Sequence, residues 1–344
     1  MSGIDGYRPR PLAPDGLREI VERWGGDSAS VRPLRGSTNH RLYRFTRDGC
    51  PLVLRLSRQA HRDRRHIEEE LAWVRFLDAG GVAVPPPVPS LAGRWVESVE
   101  HPEEGPCCAV ALHQAHGLRV GYAPGRAWGE ALFAEWGRTA GRIHALSRSF
   151  ASPSGFRRHV LDGEALSDFA SRTLPAAERW VANRLRELWR EIAELPADGE
   201  SYGMIHGDLT AANLLWRDGR VVVLDFDNCG YAWYAYDVAI TLWVTLFHLA
   251  PNGAARDGAE AFLTPFLAAY QAEKRLEPRW VAALPLFVRF FNALTYVSFH
   301  QKDPAGKESA LRRFAAANLG GGDFFTRLDL GRLCAAAGRE ARPS

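Results

Sequence analysis

Apolar and polar positions change rhythm twice along this chain. Asp15 to Trp24 carries apolar residues at helical spacing and stops at Gly25-Gly26, which predicts a short amphipathic helix. From Ser30 to Ser57 the rhythm is that of strands. VRPLRG leads into a turn at Gly36-Ser37-Thr38-Asn39, HRLYRFTR alternates polar with apolar, and PLVLRLS returns after the tight Asp48-Gly49 turn. Ile67, Leu71, Val74 and Leu77 then recur at spacings of three and four, predicting a helix over His66 to Ala79 that ends at Gly80-Gly81. Prolines keep VAVPPPVP extended, and Trp95 to Val99 and Pro106 to Ala115 read as two further strands. This order describes a small antiparallel sheet with one helix packed on it.

After His116-Gly117 the pattern becomes helical. Trp128 to Leu146 and Ala176 to Ala193 are long helical stretches, nearly everything from Val238 onward reads as helix, and only Tyr202 to Phe226 is strand-like. The expected fold is therefore α+β and bilobal. Residues 1–116 form a small antiparallel β-rich N-terminal lobe, Leu112 to His116 the hinge, and residues 117–344 a larger helical C-terminal lobe. A length of 344 residues with 46% hydrophobic and 24% charged positions suits two such lobes with real cores.

Charge and cysteines narrow the partners. A net charge of +3 gives no support to a nucleic-acid or membrane-surface role. Cys50, Cys107, Cys108, Cys229 and Cys334 are odd in number and form no CxxC pair, so reduced thiols are expected rather than a disulfide framework or zinc site. The opening MSGIDGYRPRP lacks the apolar stretch of a signal peptide, and the thirteen-residue run Val238 to Ala250 is too short to cross a bilayer and reads as a buried helix. The expectation is a cytoplasmic protein, monomeric or homodimeric, with no nucleic-acid or membrane partner.

The chemistry concentrates in GMIHGDLTAANLLWRDGRVVVLDFDNCG, Gly203 to Gly230. LLW and VVVL flank Arg217-Asp218-Gly219-Arg220, a hairpin signal with Asp-Gly at the turn. Counting back from it pairs Trp216 with Val221, Leu215 with Val222, Leu214 with Val223 and Asn213 with Leu224. Opposed residues lie about 4.5–5.5 Å apart at Cα, so Asn213 and Asp225 meet at the hairpin base while Asp208 enters from the preceding loop. Phosphoryl transfer from ATP needs hard oxygen donors for Mg²⁺ and a base beside the acceptor hydroxyl. Alone, Asp208 reads as a turn or cap residue, Asn213 as a turn residue and Asp225 as an ion-pair partner; together, on one hairpin, they read as a site.

This segment resembles the catalytic and metal-binding loops of the aminoglycoside phosphotransferase and choline kinase superfamily, distant relatives of protein kinases. The kinase signature H-R-D-x-x-x-x-N followed by D-F-G is matched by His206-Gly207-Asp208 with Asn213, then Asp225-Phe226-Asp227. EELAWVRFLDAGGVAVPPPV and DFDNCGYAWYAYDVA look most like the stress-response kinase and type II homoserine kinase branch. The resemblance implies that Asp208 is the catalytic base, that Asn213 and Asp225 ligate Mg²⁺ on ATP, and that His206 and Asp237 brace the loop. Asp227 stands where protein kinases have glycine.

It also implies a nucleotide side. Gly36, Ser37, Thr38 and Asn39 would form the phosphate-covering turn. Arg55 holds the strand position of the kinase lysine and would face the α- and β-phosphates, paired with Glu70 rather than its neighbours Glu68 and Glu69. Main-chain groups near His113 and Ala115 would take the adenine.

The expected activity is ATP-dependent transfer of the γ-phosphate to a hydroxyl of a small molecule: an amino alcohol, amino acid, sugar or aminoglycoside. A protein serine/threonine kinase and a silent nucleotide-binding pseudokinase are the rivals. Asp208, Asn213 and Asp225 together argue against silence, and Asp237 follows Asp225 too closely for an activation segment. After residue 250 there are nine acids and thirteen bases, a balance that leans away from a polycationic aminoglycoside.

Overall fold

The fold is that of a computed structural model, which describes residues 11–34, 40–121, 127–249, 255–302 and 310–320, and beyond these 325, 329, 331, 332 and 335. The chain divides into two compact units. Unit 1 takes Met1–His116 and Ala151–Arg158, and unit 2 takes Gly117–Phe150 and His159–Ser344.

Unit 1 is built on an antiparallel sheet. After α1 (Pro14–Glu22) come β1 (Asp27–Leu34), β2 (His40–Arg47) and β3 (Cys50–Arg58). Then follow α2 (Arg64–Ala79), β4 (Pro87–Val88), β5 (Glu97–His101) and β6 (Gly105–His113). The sheet order is β1-β2-β3-β6-β4, with β5 on β6. Asp48 and Gly49 both take positive φ, 50° and 77°, which closes a two-residue turn and sets Arg47 opposite Cys50.

Strand alternation then sorts the faces of β3. Leu52, Leu54 and Leu56 enter a core with Ile20, Val21 and Trp24 of the α1 region, and with Tyr43 and Phe45 of β2. Arg55 and Ser57 are buried among the intervening positions, and Val110, opposite Arg55, packs with Ile67 and Leu71 of α2. Each fully buried Leu or Phe is worth about 1.5–3 kcal/mol, so these two apolar layers fix which face Arg55 occupies. Asp63 caps α2 by accepting the His66 N–H at 3.0 Å.

Unit 2 begins with β7 (Leu118–Arg119), α3 (Glu130–Ser147), α4 (Gly163–Thr173) and α5 (Arg179–Ala193). The strand-like stretch of the sequence resolves into β8 (Tyr202–Ile205), β9 (Leu214–Arg217), β10 (Arg220–Val223) and β11 (Gly230–Trp233). They form two small sheets, β10-β9-β7 and β11-β8. The helices α6 (Tyr234–Leu249), α7 (Ala255–Glu273), α8 (Pro278–Lys302) and α9 (Ala310–Ala317) follow.

Close approach of α3 to α7 depends on a glycine: a Cβ on Gly137 would lie 2.0 Å from the Phe266 carbonyl oxygen. Asn292 of α8 accepts from the Trp243 indole N–H at 2.9 Å and donates to the carbonyls of Ala315 and Asn318, tying α6, α8 and the α9 end together. Pro278–His300 is long and apolar enough to cross a membrane by length and composition, a stretch not singled out in the sequence. Two thirds of its apolar window is buried, and the helix packs against α5, α6 and α9, as a core helix does.

Candidate functional site

In unit 1 the buried face of β3 brings Arg55 to α2. Arg55 Nη1 donates to Glu70 Oε1 at 2.6 Å, with side chains only 6% and 3% exposed. The adjacent glutamates are engaged elsewhere: Glu68 with Arg64 on the surface, and Glu69 with the Ser152 hydroxyl at 2.6 Å. Glu70 is thus the partner because the helix turns it, and neither neighbour, toward β3. Its other oxygen, Oε2, accepts from Arg158 Nη1 at 3.1 Å. Nothing in the spacing of SGFRRH marks Arg158 out.

At the end of β6, the His113 N–H donates to the Pro86 carbonyl at 2.9 Å and the Gln114 N–H to the Pro51 carbonyl at 3.1 Å. These two bonds occupy the His113 and Gln114 N–H groups, and Ala115 follows them. Gly36, Ser37, Thr38 and Asn39 lie outside the described residues.

In unit 2 the hairpin has the register that the Asp-Gly turn dictates. Asp218 and Gly219 take φ of 51° and 79°, and Arg217, Trp216, Leu215 and Leu214 oppose Arg220, Val221, Val222 and Val223. One step further, the Leu224 N–H donates to the Asn213 carbonyl at 2.9 Å. Asp225 follows with φ 59° and ψ 74°, a left-handed conformation that aspartate tolerates better than most residues. Its side chain is exposed, whereas Asp227 is buried.

Asn213 Nδ2 donates both to the Asp208 carbonyl, at 3.0 Å, and to Asp208 Oδ2, at 2.9 Å. The amide nitrogen is therefore spent on Asp208, and the amide oxygen is what Asn213 has for a cation. That amide oxygen and the exposed Asp225 carboxylate are donors of the hard type that magnesium takes. Burial, then the charge of Asp225, drive the Asp208 carboxyl up to about 7; the Asn213 hydrogen bond opposes the rise, the Asp237 charge adds to it, and the Thr210 hydrogen bond opposes it. A cation at Asp225 would cancel that repulsion. An acid group poised near neutrality suits a general base.

The loop that carries Asp208 is held by a buried network. Asp237, on the first turn of α6 and 1% exposed, accepts the His206 N–H through Oδ2 at 3.0 Å and the Gly207 N–H through Oδ1 at 2.9 Å. His206 Nδ1 accepts the Asp208 N–H at 3.2 Å while Nε2 donates to the Leu224 carbonyl at 3.0 Å. One imidazole thus spaces Asp208 from the residue preceding Asp225. Gly207 has φ of 75°, and a Cβ there would lie 2.4 Å from the Asn228 carbonyl oxygen, so the arginine of the kinase signature has no room.

Behind Asp237 stands His144 of α3, fully buried, with Nε2 3.1 Å from Asp237 Oδ2 and Nδ1 2.8 Å from the Tyr270 hydroxyl. Burial, with the nearby Tyr234 and Asp237, holds the Tyr270 hydroxyl well above its ordinary value, so Tyr270 donates to Nδ1 and Nε2–H donates to Asp237. Burial pushes the Asp237 carboxyl up, but the His144 hydrogen bond, the electrostatic pull of the His144 and His206 rings and the His206 main-chain N–H outweigh it and hold the group below the usual aspartate value. The sequence reading missed His144 and Tyr270, which sit among apolar helix positions with no spacing signal.

The chain is similar to known proteins along most of its length. Residues 30–283 match the phosphotransferase enzyme family. The chain is 31% identical to the amicoumacin kinase of Bacillus subtilis (strain 168) over 287 residues, 83% of this chain and 84% of that protein. It is 30% identical over 240 residues to a homoserine kinase of Methylobacterium nodulans, 65% of this chain and 67% of that one. Among solved structures, amicoumacin kinase hAmiN in complex with AMP-PNP, Ca²⁺ and Ami shares the fold with a TM-score of 0.76 at 23% identity, over 94% of this chain and 91% of that one. The chain therefore belongs to the phosphotransferase enzyme family, with its α+β, protein-kinase-like fold and its chemistry, the passing of phosphate from ATP to a hydroxyl of a small molecule.

Proposed function

We propose that Asp208 is the base of this transfer and that Asn213 and Asp225 hold the Mg²⁺ that accompanies ATP. Asp208 takes the proton of the acceptor hydroxyl. The freed oxygen bonds to the γ-phosphorus, the bond from γ-phosphorus to the bridging oxygen breaks, and ADP departs. When bound, the cation neutralises phosphate charge. Arg55, aligned by Glu70, meets the α- and β-phosphates; Gly36, Ser37, Thr38 and Asn39 cover them; and the His113 carbonyl and Ala115 N–H receive the adenine. The observation that carries this reading is the double grip of Asn213 Nδ2 on Asp208 at the foot of the hairpin that ends in Asp225.

The acceptor we propose is a small alcohol that also bears an amino group. The homoserine kinase relative supports this by the chemistry of its named substrate. The thirteen bases against nine acids after residue 250 disfavour a polycationic aminoglycoside. ATP supply and the reduced Cys50, Cys107, Cys108 and Cys229 support a cytoplasmic setting. The test is acceptor-dependent ADP release across amino alcohols, hydroxy amino acids, hexoses, aminoglycosides and a generic protein. Turnover with an amino-bearing small alcohol is expected; turnover confined to the protein or to hexoses would overturn the acceptor class.

A further inference from the structure

Ala151–Arg158 belongs to unit 1 although the chain on both sides of it builds unit 2. Every residue from 151 to 160 is exposed or half-buried except Arg158, whose side chain is 0% exposed. A buried guanidinium loses hydration worth several kcal/mol unless it is closely engaged, so its partners are informative. Arg158 Nη1 donates to the His66 carbonyl at 2.6 Å and to Glu70 Oε2 at 3.1 Å, while Arg55 Nη1 occupies Glu70 Oε1 at 2.6 Å. Glu70 is thus shared by two arginines, one on each oxygen.

The rest of the segment packs on the same helix. The Ser152 hydroxyl donates to Glu69 Oε2 at 2.6 Å, and the Phe156 ring meets His66 edge-on at 5.0 Å. Within unit 2 the next residue, His159, accepts the Tyr231 N–H at 2.7 Å, which anchors the backbone just beyond Arg158.

We infer that Arg158 is a positioning residue: it fixes the carboxylate of Glu70 and through it aims Arg55 at the phosphates of the nucleotide. A glutamate held by one oxygen keeps rotational freedom about its terminal torsion; held by both, with Arg158 itself donating to the His66 carbonyl of the same helix, it presents one geometry. This rests on the role proposed above for Arg55.

The test is the Kd of the full-length protein for a non-hydrolysable ATP analogue with magnesium, with kcat and both KM values, for R158Q, R158K, S152A and R55A. Thermal unfolding is recorded alongside. R158Q is expected to raise the analogue Kd about tenfold, R158K about threefold, and S152A less than about twofold, as loss of a charge-assisted hydrogen bond implies. The acceptor KM stays unchanged. A folded R158Q that binds the analogue as the wild type does, while R55A binds weakly, overturns the inference; so does an S152A loss equal to that of R158Q, which would make the segment mere packing. If R158Q fails to fold, an unchanged Kd in R158K overturns it. Undiminished binding by R55A would instead refute the phosphate role of Arg55 itself.

Discussion

Replacing Asp237 by alanine probes what holds the loop that carries Asp208. The carboxylate accepts two main-chain N–H groups, from His206 and Gly207 at 3.0 and 2.9 Å, and lies 3.1 Å from His144 Nε2. All of this is buried, so removal strands two peptide donors and one imidazole N–H. Each of these three stranded donors costs about 1–3 kcal/mol, partly relieved where water enters the space the carboxylate leaves. We expect a loss of about 3–5 kcal/mol, a large share of the roughly 5–15 kcal/mol of a typical protein. In thermal unfolding this is a fall of about 6–20 °C for a unit of this size. Turnover should fall with it, because the main chain just before Asp208 loses its clamp.

Asp237→Asn keeps the shape and removes the charge, which gives the pH dependence a sign. The folded carboxyl titrates below its unfolded value. Its contribution is therefore complete above about pH 4, the ordinary aspartate range, and is lost as pH falls through the depressed folded value. The Tm gap between wild type and Asp237→Asn should be constant from about pH 6 to 8 and shrink below about pH 4. An alanine variant with an unchanged Tm and full kcat would refute the clamp, and a gap that widens in acid would refute the titration argument.

Other substitutions test the neighbouring groups. Asp225→Ala should raise the magnesium concentration needed for half-maximal nucleotide binding by at least about tenfold; an unchanged magnesium titration would remove Asp225 from the cation. Gly207→Ala must place a Cβ 2.4 Å from the Asn228 carbonyl in a left-handed backbone, so strain and clash together should cost about 2–4 kcal/mol and most of kcat. Thermal unfolding and initial rates check both, and a fully active, equally stable Gly207→Ala would contradict the close approach. Gly137→Ala should destabilise through the α3–α7 contact and leave the ATP KM of the folded fraction unchanged.

How much of this was legible in the sequence follows from range. The β9–β10 register came from a local device, Asp218-Gly219, which dictates every pair back to Asn213 and Leu224. Glu70 was chosen over Glu68 and Glu69 through the family resemblance, four residues before Val74 and seven before Leu77, and it is the glutamate that meets Arg55, although Glu69 is buried too. α4 was not read: it is short, and Gly163 opens it because Trp189 leaves no room for a Cβ, 2.1 Å from its ring. β4 and β7 are two residues long and carry no period. The pairing of β8 with β11 joins residues more than twenty apart with no turn between them to announce it. Arg158, His144 and Tyr270 escaped because their partners are distant, and a lone arginine or histidine looks alike in sequence whether solvated or buried.

The central claim is that Asp208 takes the proton from an alcohol that receives the γ-phosphate. It is tested most directly by following transfer in a single turnover by ³¹P NMR, with an amino-bearing alcohol and magnesium, for wild type and Asp208→Ala at matched nucleotide occupancy. The account predicts a phosphate monoester and ADP in equal amounts from the wild type. The variant should bind ATP within about twofold of normal and form ester about 10²–10⁴-fold more slowly. Ester formation at the same rate in both proteins would contradict it.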